Sequence, residues 1–110
     1  MDAAILWVVA GGLLEPVWVV ALKRFDERRT LAWGLAAVFF AVLSPCLMGM
    51  GMKTMSVGVA YAVWTGIGAV CTMIAGYLLY GERVGALKMV FVGMILAGVV
   101  GLELFAGASQ

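Results

Sequence analysis

One carboxylate stands inside an otherwise apolar run from Ala3 to Leu22: Glu15, in the stretch GGLLEPVWVVALK. A charge at bilayer depth costs roughly 2.5–3.5 kcal/mol on insertion scales, so an acid placed there marks a functional site. On a helix, Gly12 and Trp18 lie three residues to either side of Glu15 and share its face. A carboxylate beside an indole suits a cation, the one by opposite charge and the other by its π-face. The plainer alternative is a carboxyl buried neutral and paired with a neighbouring helix. No other acid or base lies at comparable depth to pair with it.

A second group of residues lies in AYAVWTGIGA, residues 60–69. Tyr61, Trp64 and Gly68 fall on one helical face at steps of three and four. Aromatics with polar tips inside a span need partners, and a cation site shared with Glu15 would supply them. Gly66 and Gly68 weaken the helix and permit a kink, which makes them either a transporter's hinge or plain packing contacts. Ser44 directly precedes Pro45. Its hydroxyl can bond an acid on another helix or a carbonyl of its own, and spacing does not separate the two. Pro16 removes the hydrogen bond to the Gly12 carbonyl, so the helix should bend beside its acid and leave an acceptor free there.

The elements that must position these residues follow from composition. The chain has 110 residues, is 65% hydrophobic and only 12% charged, and has a mean hydropathy of +1.14. A soluble domain of this size has too little interior to hide that much apolar surface. The expected fold is an all-α membrane protein of four transmembrane helices, at about 3–22, 31–52, 57–80 and 85–105. The connections, KRFDERRT, a short one around Lys53–Ser56, and GERV, hold no soluble domain, so residues 1–110 read as one four-helix unit. The first segment lacks the basic start of a signal peptide and contains the acid, so it should be retained.

Several functions are disfavoured. With no histidine, a catalytic triad or typical zinc site is not expected, and no cofactor is called for. No basic run with interleaved aromatics suggests nucleic acid. Cys46 and Cys71 read as small core residues. Met and Gly alternate in MGMGMK, which fits an adaptable surface or simple gap-filling. In the last span Gly93, Ala97 and Gly101 recur every four residues, a smooth stripe suited to close helix–helix approach and read as a dimer interface. Glu103 stands near the membrane end, where an acid can reach water, and is not read as a second transport carboxylate.

These features together resemble the small multidrug resistance family of proton-coupled exporters, across essentially the whole chain. The points of likeness are four short spans, a single helix-1 glutamate, the AYAVWTGIGA stretch and the helix-4 glycine stripe. Trp18, one turn after Glu15, resembles the guanidinium-exporter subtype; the quaternary-ammonium subtype usually has a small residue there. Gly12, Ser44, Tyr61 and Trp64 fall where the family keeps its binding-site glycine, serine, tyrosine and tryptophan. Pro16 and Pro45 occupy positions not usually proline, and Glu103 stands where guanidinium exporters often carry a lysine.

The resemblance implies an antiparallel dimer in the bacterial inner membrane, with one site built from both copies of the glutamate. It also implies an antiporter in which Glu15 holds either a proton, the coupling ion, or a small cationic substrate of guanidinium type. The alternatives are a broader exporter of quaternary ammonium and lipophilic cations, or a non-transporting membrane assembly subunit. An enzyme is the least expected, since no nucleophile–base pair stands out.

Loop charges add an orientation. Lys23, Arg24, Arg28, Arg29, Arg83 and Lys88 lie on one side of the membrane and only Lys53 on the other. Six against one places the first and third loops in the cytoplasm and both termini outside. An antiparallel pair of identical chains needs balanced loops, so the bias favours an oppositely oriented paralogue over a second copy.

Overall fold

The computed structural model describes residues 3–109, and the side chains of residues 3–105. Four helices follow in order: α1 (Ala4–Arg28), α2 (Leu31–Gly51), α3 (Val57–Tyr80) and α4 (Ala86–Ser109). Each is long and apolar enough to cross a membrane, and no strand occurs among the described residues. This is an integral membrane protein of all-α class.

α1 runs unbroken through Pro16 and six residues past Leu22, taking in most of KRFDERRT. Lys, Arg and Glu are good helix formers, so the helix outlasts the apolar stretch that betrays it in a hydropathy reading. It stops at Arg29, whose φ of 55° is left-handed and whose N–H donates to the Phe25 carbonyl at 2.7 Å. Thr30 is extended and α2 begins at once. α3 opens on Ser56, whose hydroxyl accepts from the Val59 N–H at 3.3 Å, as an N-cap should. It closes on Gly81 at φ 64°, where glycine carries no Cβ penalty.

α1, α2 and α3 all meet one another, and α4 joins from the side. α1 packs against both α2 and α3, whereas α4 touches only α3. The Cα atoms span 48 × 34 × 16 Å, so the protomer is flattened. Small residues make the close approaches. The buried positions of α2 are Ala37, Ser44 and Gly51, seven residues apart, and they face α1. A Cβ at Gly51 would collide with Val8, and one at Gly11 would lie 2.6 Å from the Ser44 carbonyl. Without a hydrophobic drive between helices in lipid, such contacts supply the packing that associates them.

Val8, Ala60 and Val63 form the buried core, closed over by Met48, Met52 and Met55 among others. Three methionines in one small cluster are filling gaps. α4 joins through Gly66, where a Cβ would stand 2.6 Å from Val99 Cγ2. No residue of the α4 span is buried. Gly93 and Ala97 are exposed and Gly101 half-buried, and a Cβ at either glycine would meet nothing within 4 Å.

One expectation needs correcting. Neither cysteine is in the core: Cys46 is exposed and Cys71 half-buried. The buried positions of α2 are Ala37, Ser44 and Gly51, and Cys46 lies off that seven-residue repeat. At Glu103, Oε1 is shut off from solvent and has no hydrogen-bond partner among the described residues.

Candidate functional site

α1, α2 and α3 each bring one part of a polar cluster to mid-chain depth. The Trp18 indole N–H donates to Glu15 Oε1 at 3.2 Å, a contact set by their three-residue spacing on α1. The indole therefore meets the carboxylate by its edge, and only its ring remains for a cation. From α2, Ser44 Oγ lies 2.7 Å from the Gly11 carbonyl and 3.3 Å from Glu15 Oε1. From α3, the Trp64 indole N–H donates to Ser44 Oγ at 3.0 Å.

Ser44 has one hydroxyl hydrogen and two acceptors in reach. The shorter contact, to the Gly11 carbonyl, takes that hydrogen in this geometry. Turning the hydroxyl would give it to Glu15 instead, while Trp64 continues to donate. A protonated Glu15 could reverse the second contact and donate to Ser44. Ser44 itself is fully buried. Leaving its partners unpaired there would cost about 1–3 kcal/mol for each buried group.

Glu15 is half-buried and faces an open groove of about 460 Å³ on the side of α1 and α3. Trp18 and Val19 line it from α1; Tyr61, Trp64, Thr65, Gly68, Ala69 and Thr72 line it from α3. The Tyr61 and Trp64 rings lie 5.7 Å apart, tilted by 48°. Gly68 is what lets the carboxylate lie there. A Cβ at that position would stand 2.5 Å from Glu15 Cγ and 2.9 Å from its Cβ. The arrangement offers a carboxyl group in the lining of a largely apolar, aromatic-walled groove, which suits a cation.

The chain matches the Small Multidrug Resistance protein family over residues 3–95. The chain belongs to that family. Within it, the chain is similar to the protein named guanidinium exporter of Salmonella typhimurium (strain LT2), with 42% identity over 102 residues, 91% of this chain and 97% of the relative. The guanidinium exporter of Yersinia pseudotuberculosis is 41% identical over 100 residues, covering 89% and 96%. That of Citrobacter freundii is 40% identical over 100 residues, covering 89% and 95%.

In this small multidrug resistance chain, Glu15, Trp18, Ser44, Tyr61 and Trp64 come together as one constellation. Gly12 lies beneath it, outside the groove, where a Cβ would press within 2.9 Å of Ile67 and 3.1 Å of the Trp64 carbonyl. On α3, Gly68 abuts the acid and Gly66 abuts α4. Gly93, Ala97 and Gly101 stand apart on α4, which does not line the groove. Sequence reading missed Gly11, Val19, Thr65, Ala69 and Thr72. Thr65 and Thr72 sit four and eleven residues after Tyr61, on its helical face, and that spacing was the available signal.

Proposed function

We propose that this chain exports small cations of guanidinium type in exchange for protons, with Glu15 holding one or the other. The observation that carries the reading is the half-buried Glu15 carboxylate in the lining of the aromatic groove, its Oε1 within reach of Trp18 and Ser44. Planar guanidinium pairs with a carboxylate through two parallel N–H···O bonds, and aromatic faces accommodate its plane. The guanidinium-exporter names of the relatives support that substrate class. The Trp18 ring, lining the groove beside the acid, favours a flat cation over a bulky one. Binding and ion exchange at one carboxylate make the protein a transporter rather than an enzyme, and its coupling ion is the proton.

Vesicles containing the purified protein test this directly. With guanidinium trapped inside and none outside, outward flux should draw protons inward and acidify the lumen. Acidification no faster than in protein-free vesicles would reject the exchange.

A slab of four helices with the groove open on its side cannot enclose a path across the membrane. The working unit is therefore an antiparallel dimer whose two grooves face a common space. The open stripe of Gly93, Ala97 and Gly101 on α4 is suited to the dimer contact. The charge bias of the loops supports one orientation in the cytoplasmic membrane of a bacterium, with both termini outside. The second half then comes from a paralogue of opposite bias. C-terminal reporter fusions should give an external signal alone. Mixed internal and external signals, with transport by this chain expressed by itself, would restore the dimer of identical chains.

A further inference from the structure

Thr65 and Thr72 both line the groove, with Gly68 and the Glu15 side chain lying against it between them. At 1.5 Å of rise per residue they stand about 4.5 Å and about 6 Å along α3 from Gly68, in opposite directions. A threonine within a helix commonly ties its hydroxyl back to a carbonyl three or four residues earlier. Neither does so here, and neither hydroxyl has a hydrogen bond among the described residues. Val19, Ala69 and the indoles make up much of the remaining wall. Two uncommitted acceptors thus flank the carboxylate in a largely apolar groove.

A guanidinium presents N–H donors around its whole rim, and one carboxylate oxygen pair takes two of them. The rest leave water when the cation enters the groove. An N–H desolvated without an acceptor weakens binding by roughly tenfold or more. A quaternary ammonium ion has no N–H and gains nothing from a hydroxyl. We propose that Thr65 and Thr72 accept hydrogen bonds from the outward N–H groups of a cation held on Glu15, and so select N–H-bearing planar cations. This inference rests on the transport reading above.

The experiment measures guanidinium uptake into vesicles by the full chain and by Thr65→Val, Thr72→Val, Thr65→Ser and Thr72→Ser. Valine keeps the shape of threonine and removes the hydroxyl; serine keeps the hydroxyl and removes the methyl. Each valine variant is expected to raise KM about tenfold with kcat little changed. Each serine variant is expected to keep KM near the wild-type value. Unchanged KM in the valine variants overturns the proposal, as does an equal rise in valine and serine variants, which would trace the effect to packing. Failure of the wild type to move guanidinium overturns the transport reading and this inference with it.

Discussion

Vesicles carrying Glu15→Gln are expected to exchange no protons for guanidinium above the protein-free rate, although the variant inserts and assembles normally. Glutamine keeps an oxygen where Oε1 accepts from Trp18 and faces Ser44, so the local hydrogen bonds survive the change. What it loses is the negative charge and the group that can carry a proton. Among the described residues no other acid lines the groove, so none there replaces either function. The check is paired: a proton-coupled flux assay and the elution profile of the purified variant. Coupled uptake at near wild-type rate by an intact Glu15→Gln protein would remove the carboxylate from the mechanism.

Gly68→Ala is expected to lower guanidinium transport by about tenfold or more, the scale of a 1–3 kcal/mol overpacking penalty. Its new methyl would sit 2.5 Å from Glu15 Cγ and 2.9 Å from Glu15 Cβ. Those atoms are the root of the side chain, not its free end, so they cannot swing aside while the carboxylate keeps its place. Either the carboxylate leaves Ser44 and Trp18, or α3 moves off α1. Gly58→Ala, on the same helix, supplies the contrast. Nothing lies within 4 Å of a Cβ at that position, so the protomer should tolerate it. Transport by Gly68→Ala equal to that of Gly58→Ala would show that contact with the acid is not the reason for glycine there.

The parts of the site that lie on one helix were legible in the chain. Glu15 and Trp18 are three apart, and Tyr61, Trp64 and Gly68 follow helical steps, so periodicity alone puts each set on a face. The four spans were legible because lipid demands long apolar helices. Contacts between helices were not. Ser44 reaching Gly11 and Glu15, across 33 and 29 residues, depends on the register of α2 against α1, which no periodicity within either helix records. Gly68 was visible as a flexible residue, but not as the place where a carboxylate presses on a backbone. The extension of α1 through Arg28 was hidden for another reason. Hydropathy reports where lipid stops, and charged residues that favour helix carry the backbone past that point.

The order in which the helices pair has a consequence for how the protein is made. α2 follows α1 in the chain and docks beside it, closing a hairpin through the two-residue link at Arg29 and Thr30. α3 then adds to that hairpin, chiefly against α1, and α4 adds to α3. Each helix emerging from the ribosome finds its partner already in the bilayer, and none must wedge between two that are already joined. Most pairings join neighbours in the chain, which keeps loop-closure entropy small and favours rapid assembly. α4 is also the helix held by the fewest contacts, joined to the rest of the protomer through α3 alone.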